Sequence, residues 1–199
     1  MDASAVELRV LGALIEKQRT TPDQYPLSLN ALRLACNQTT SRDPVLELDE
    51  LELRDALERL GRRGWTRLAS GAGSRAVKYR QLFGEALGLA SAELALLSVL
   101  MLRGPQTPGE LKSRCERQHD FASVAEVIET LDGLAARELV VRQPRRPGQK
   151  EDRYAQLLGG EAEEPVRAVP SDVSRIDKLE ERVVALELEL EELRHRFDS

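Results

Sequence analysis

The segment LRVLGAL at residues 8–14 returns as LALLSVL at residues 94–100, so Leu8, Leu11 and Leu14 fall on Leu94, Leu97 and Leu100 at a constant offset of 86. Steps of three residues put each set on one face of a helix. Further along, Leu32 and Cys36 match Leu111 and Cys115 at an offset of 79, and Leu57, Leu60 and Trp65 match Leu131, Leu134 and Leu139 at an offset of 74. Three helices and a following strand therefore recur in order. The falling offset assigns two insertions to the first copy, seven residues between its first and second helices and five between its second and third.

Helix starts agree with this register. Ser4 with Glu7, Thr107 with Glu110 and Ser123 with Glu126 have capping-box spacing, Pro108 suits a first turn, and the third helix of the first copy is expected to start at Asp49. After each third helix an apolar run (Trp65 to Ala69, Leu139 to Val141) leads through a turn rich in Gly, Ser, Pro and Arg to a second strand-like run (Val77 to Phe83, Arg153 to Leu157). Each pair reads as a two-stranded hairpin. Helix, helix, helix, hairpin is the order of a winged helix, whose hairpin tip is the wing and whose third helix is the potential groove reader. The expected fold is mainly α with small β-hairpins (α+β). Winged-helix domains at 1–84 and 85–158 are followed by a linker at 159–171 and a coiled-coil helix at 172–199.

At the insertions the chain reads TTPDQYPLSLNALRLACNQTTSRDPV, residues 20–45. This stretch resembles the signature of the YceH-like family of bacterial proteins, and the resemblance covers both repeats, roughly residues 4–158. It implies a tandem winged-helix fold with a charged helical tail, and no known reaction. Paired winged helices of similar architecture occur in bacterial transcription regulators and in a subunit of chromosome-condensing complexes. That likeness is architectural and carries no function by itself.

The composition, 41% apolar and 32% charged, supplies enough apolar material for one or two compact domains. The longest nearly unbroken apolar run, Leu94 to Leu102, falls far short of the roughly 20 residues a membrane-spanning helix needs. The opening Met-Asp-Ala-Ser has no signal-peptide pattern, and a cytoplasmic protein without membrane attachment is expected. The net charge of −5 is unevenly placed: residues 161–199 hold 12 acids and 6 bases, the remainder 22 acids and 23 bases. Global charge therefore says little about what the body binds. No Gly-rich phosphate loop, Gly-x-Ser-x-Gly elbow or His-Glu-x-x-His pair is present, so no enzymatic activity and no cofactor are expected. Cys115 and His119 lie four apart but lack further ligands nearby. Cys36 and Cys115 hold equivalent repeat positions in apolar patterns and read as core residues, leaving no metal site expected.

The wings are the basic parts of the body. The first, residues 65–83, has Arg67, Arg75, Lys78 and Arg80 with no acid; the second, residues 139–156, has Arg142, Arg145, Arg146, Lys150 and Arg153 against Glu151 and Asp152. Flexible cations at a wing tip neutralise phosphates without reading sequence, so Arg75, Lys78, Arg80, Arg142, Arg145, Arg146, Lys150 and Arg153 are candidate nucleic-acid contacts. The third helices argue against base readout, because residues 49–63 gather their acids in the N-terminal half and residues 123–138 hold four acids against Arg137 alone. In the insertions, Asp23, Gln24, Tyr25, Asn30, Asn37, Gln38, Arg42 and Asp43, punctuated by Pro22, Pro26 and Pro44, form either a recognition surface or a set of fastenings that hold two loops to the domain.

Beyond the linker, Ile176, Leu179, Val183, Leu186, Leu190, Leu193 and Phe197 alternate steps of three and four, a coiled-coil seam. The expected protein is a cytoplasmic, non-enzymatic scaffold for protein interaction or regulation that dimerises through this helix, binds an unidentified protein partner and touches DNA weakly. The alternatives are a sequence-specific transcription regulator and a small-ligand-responsive domain using residues 20–45. A parallel pair sets Arg175 against Glu180, Arg182 against Glu187 and Glu189 against Arg194, all opposite in sign. Sedimentation is expected to show a dimer for the full chain and a monomer for a chain ending at Gly160, with Leu179→Cys cross-linking across the pair. Monomers from both chains would place the helix against its own chain.

Overall fold

Helix α1 (Ala5–Thr20) starts where the sequence places it. Ser4 Oγ accepts from the Glu7 N–H at 3.2 Å, and the Glu7 carboxylate accepts from the Ser4 N–H at 2.6 Å. From Leu8 to Ile15 every residue is buried, including Arg9, as suits a helix enclosed on all sides. Its counterpart in the second repeat, α5 (Ser91–Arg103), is buried throughout Leu94–Leu102. The two pack directly together. A Cβ at Gly12 would lie 3.0 Å from Leu102 Cγ and 3.1 Å from Met101 Cβ, so glycine sets how closely the helices approach.

The computed structural model describes residues 2–69, 77–145 and 151–159, within a single unit spanning Met1–Glu163. Arg75, Arg146, Lys150 and the tail positions Ile176, Leu179, Val183, Leu186, Leu190, Leu193 and Phe197 lie outside the described residues. The molecule is mixed, with seven α-helices and two small antiparallel sheets among the described residues. In the first repeat α1 is followed by β1 (Leu27–Ser28), α2 (Leu29–Cys36), α3 (Glu50–Arg62), β2 (Thr66–Ala69) and β3 (Lys78–Gln81). A short α4 (Phe83–Leu87) leads to α5, α6 (Pro108–Cys115), α7 (Val124–Ala136), β4 (Val140–Gln143) and β5 (Arg153–Gln156). Helix, helix, helix, hairpin thus occurs twice, at the positions the offsets predict.

Capping chemistry accounts for the helix starts. Asp49 and Glu52 form a reciprocal box at α3, as Thr107 and Glu110 do at α6. At α7 the Ser123 hydroxyl accepts from the Glu126 N–H as expected, but the Glu126 carboxylate reaches past it to the Ala122 N–H at 2.7 Å. At α5 the Glu93 carboxylate accepts from the Ala90 N–H, an arrangement that alanine at the cap concealed from pattern reading.

The first sheet corrects the two-stranded expectation. Leu27 and Ser28 pair with Tyr79 and Lys78, giving the order β1-β3-β2. Gln106, related to Leu27 by the second-helix offset of 79, exchanges backbone hydrogen bonds with Tyr154 at 2.8 and 3.0 Å. Both repeats therefore place a third segment on the last strand, reduced to one bridge in the second. Two residues are too short for an alternation signal, which is why the strand escaped the pattern.

Both third helices end in a left-handed corner: Gly64 has φ +72° and Glu138, its equivalent at offset 74, has φ +55°. The following residues, Trp65 and Leu139, donate back to Leu60 and Leu134 at 2.9 and 3.0 Å, closing the same turn. An L side chain pays about 1–2 kcal/mol in that conformation. Glu138→Gly is expected to stabilise the protein by about 0.5–1 kcal/mol, after the larger unfolded-state entropy of glycine is set against the relieved strain, read as a raised denaturation midpoint. An unchanged or lowered midpoint would show that the Glu138 side chain contributes more than its backbone costs.

Candidate functional site

The described wing cations are mostly bonded within the chain. Arg80 Nη2 lies 2.6 Å from Glu85 Oε1, and Arg142 holds Asp152 through Nε at 2.8 Å and Nη2 at 2.6 Å. Arg153 Nη1 reaches Glu110 Oε2 at 3.1 Å and the Pro105 carbonyl at 2.8 Å. The Arg142 hydrogen bond, with a second from the Arg145 N–H, holds the Asp152 carboxyl below its usual range. Lys78 and the Arg145 side chain have no counter-ion within ion-pair distance among the described residues. Exposed pairs are worth at most about 1 kcal/mol, so phosphate can displace these carboxylates but gains little net charge from doing so.

On α3, Glu50, Leu51, Glu52, Asp55 and Glu58 are all exposed, Leu51 to 68%; on α7 the exposed set includes Val124, Ile128, Glu129 and Asp132. α7 offers carboxylates and apolar side chains where a groove reader would present cations, whereas α3 also exposes Arg54, Arg59 and Arg62, two of them paired with Glu50 and Glu58.

The residues of the 20–45 stretch divide by burial. Arg42 is buried and donates to the Ala35 carbonyl (Nε 3.0 Å, Nη2 2.8 Å), the Ser41 carbonyl (2.8 Å), both Glu16 oxygens (3.2 and 2.7 Å) and Gln38 Oε1 (2.9 Å). One guanidinium thereby joins α1, α2 and the loop that follows. Arg9, on α1, donates to the Cys36 carbonyl at 3.1 Å and the Pro44 carbonyl at 2.5 Å; burial, then neighbouring Arg42, push its pKa down to about 10. Asn37 exchanges two hydrogen bonds of 2.9 Å with the Leu48 backbone, acting as a strand would. The Tyr25 hydroxyl accepts from the Gln81 N–H at 2.6 Å, and burial raises its pKa to about 12. Asp23, Gln24, Asn30 and Asp43 remain exposed. Tyr25, Asn37, Gln38 and Arg42 are thus fastenings by their bonding, and the sequence concealed both Glu16, the α1 partner of Arg42, and Arg9, which fastens the same loops through the Cys36 and Pro44 carbonyls.

Beside this hub lies a polar cleft of about 180 Å³, lined by Lys17, Gln38, Arg103, Arg114 and Arg117 among others. Thr20, Thr21, Thr40 and Ser41 bring the insertions to its wall. Cations in the last helical turns are visible in sequence. Their convergence is set by the α1–α5 packing and by α6, and no spacing rule reveals it.

Cys36 and Cys115 are buried, and burial pushes both thiols up to about 12. His119 packs edge-on against Phe121, with ring centroids 4.6 Å apart. No group of three or more His, Cys, Asp or Glu side chains suited to a metal occurs among the described residues.

Arg42→Lys tests the fastening directly, because an ammonium cannot serve two carbonyls, a carboxylate and an amide in these directions at once. The substitution is expected to cost about 3 kcal/mol, near the lower end for breaking a buried charge pair since Glu16 keeps some solvent contact. Proteolytic cleavage within residues 38–45 is expected to accelerate in parallel. Unchanged stability and cleavage would show that the loop is held without Arg42.

Residues 3–149 match the model of a family described as a protein of unknown function, DUF480. UPF0502 protein Ent638_1581 of Enterobacter sp. (strain 638) is 48% identical over 205 residues, covering 98% of this chain and 94% of the relative. UPF0502 protein YceH of Salmonella paratyphi B and that of Salmonella enteritidis PT4 are each 47% identical over 205 residues, covering 100% of this chain and 95% of theirs. With full-length relatives at this identity and a family model spanning both repeats, the chain belongs to the YceH-like DUF480 family.

Proposed function

We propose that the protein is a tandem winged-helix scaffold for protein interaction or regulation, without enzymatic activity, that works in the cytoplasm as a dimer through its C-terminal helix. The twofold helix, helix, helix, hairpin order supports the winged-helix reading. The observation that carries the function is the exposed surface of the third helices, where carboxylates flank Leu51 on α3 and Val124 and Ile128 on α7. Such a face suits a protein partner, since desolvated apolar anchors ringed by polar groups contribute most of the energy of protein interfaces. On α7, where Glu129 and Asp132 are exposed with no cation in the helix, it also repels a phosphate-lined groove. The wings add only a sequence-independent contact with nucleic acid, and their arginines exchange internal carboxylates for phosphates when they make it.

Two measurements test this reading. Binding to random duplex DNA is expected to be weaker than about 1 µM near physiological salt, with log K falling against log salt at a slope no steeper than about −4, and Arg142→Gln reducing that slope by about one. Nanomolar affinity with strong preference for one sequence would overturn the scaffold and establish a regulator. In affinity purification from native cells, a protein partner retained after nuclease treatment and lost with Ile128→Arg is the expected result. Recovery that disappears on nuclease treatment would assign the function to nucleic acid.

A further inference from the structure

We propose that the cleft walled by the C-terminal ends of α1, α5 and α6 is an anion site that takes the phosphate group of a small molecule through Lys17, Arg103, Arg114 and Arg117. Four cations line one cleft with a single carboxylate, Glu16, on the same wall. That carboxylate is already committed, with both oxygens on Arg42 and Lys17 Nζ 3.6 Å from Oε2. Arg114 shares Glu110, at 3.6 Å, with Arg153, at 3.1 Å. Neither Arg103 nor Arg117 has a carboxylate within ion-pair distance or a side-chain hydrogen bond among the described residues. The helix ends themselves carry partial negative charge, about half a unit each, and three such ends do not offset four cations.

Arg103 is part-buried, and its pKa is lowered first by desolvation and then by Arg114, against the opposing pull of Glu16 and Asp43. The neutral groups on the wall point to the same ligand. Gln38 spends its carbonyl oxygen on Arg42 and Lys17, two groups that can only donate, which fixes its amide orientation and leaves its nitrogen as a donor. The Thr20 and Thr21 hydroxyls donate back to the Glu16 and Lys17 carbonyls. With those protons spent on backbone carbonyls, the donors left on the wall are the Gln38 amide nitrogen and the cations, and these suit a tetrahedral oxyanion. At about 180 Å³ the cleft lies below the roughly 300–1,000 Å³ of sites for drug-sized ligands, so the occupant is small. This inference is independent of the scaffold reading, since none of the residues lining the cleft belongs to the third helices or to the described wing strands.

The test is calorimetric titration of the full chain with orthophosphate against chloride at constant ionic strength. Saturable binding is expected, weakened about tenfold or more by Arg103→Gln and by Arg117→Gln, the loss typical of one charge-assisted contact. Arg117 is exposed, so its variant reports on the site even where Arg103→Gln disturbs folding. Arg62→Gln, on the exposed face of α3, is expected to leave binding unchanged. Ribose 5-phosphate competing with orthophosphate supports a small phosphorylated ligand. A short single-stranded oligonucleotide that displaces orthophosphate more tightly, and does so through Arg103 or Arg117, would assign the cleft to nucleic acid and overturn the proposal. A response equal to that of chloride, or undiminished by Arg117→Gln, would also overturn it.

Discussion

Contact between α1 and α5 governs the rest of the molecule. Each is the most buried helix of its repeat, and neither has a solvent face along its central turns. A unit of about 75 residues buries a modest core when alone. Here each repeat completes its core with the first helix of the other, and Gly12 lets the two backbones come close enough for Leu102 and Met101 to fill the space a side chain would take. Close packing of this kind transmits a volume change from one helix to its neighbour. The two copies are accordingly repeats in sequence and one cooperative body in energy, with the Asp2–Gly159 bridge joining the beginning of the first to the end of the second.

Helices were legible because their signals are local. Leucine spacing, capping residues and the regularity of the offsets located the starts of α1, α3, α6 and α7 within a residue or two and the apolar register of α5, and the hairpin strands followed from apolar runs bounded by turn residues. What escaped depended on tertiary partners. β1 has two residues and exists because Tyr79 lies beside Leu27. The roles of Asn37 and Arg42 depend on Leu48, Glu16 and Ala35, which no periodicity connects to them. The wing charges are countable in the sequence, yet Glu85 and Glu110, which neutralise two of them, lie outside residues 65–83 and 139–156.

The insertions illustrate how one segment can be structural by its bonds and still shape a surface. Tyr25, Asn37 and Arg42 turn their polar groups inward and complete backbone valences that would otherwise be buried unpaired. In doing so they bring Gln38, Thr40 and Ser41 to the edge of the cleft, opposite cations supplied by the second repeat. The first copy carries extra chain and the second carries three of the four cations, so the cleft belongs to the pair and neither repeat alone reproduces it.

The second sheet has an implication that concerns solubility. In both repeats the first hairpin strand, β2 or β4, pairs with one neighbour only and presents its other edge unpaired among the described residues. An open edge bearing Val140 and the partly exposed Val141 is a template for pairing with another molecule. Arg142, the next residue on that strand, is charged and tied to Asp152, and it breaks the run before it becomes long enough to recruit a neighbour. Arg142 thus has a task that requires no ligand: it guards the edge of a short sheet against joining the edge of another.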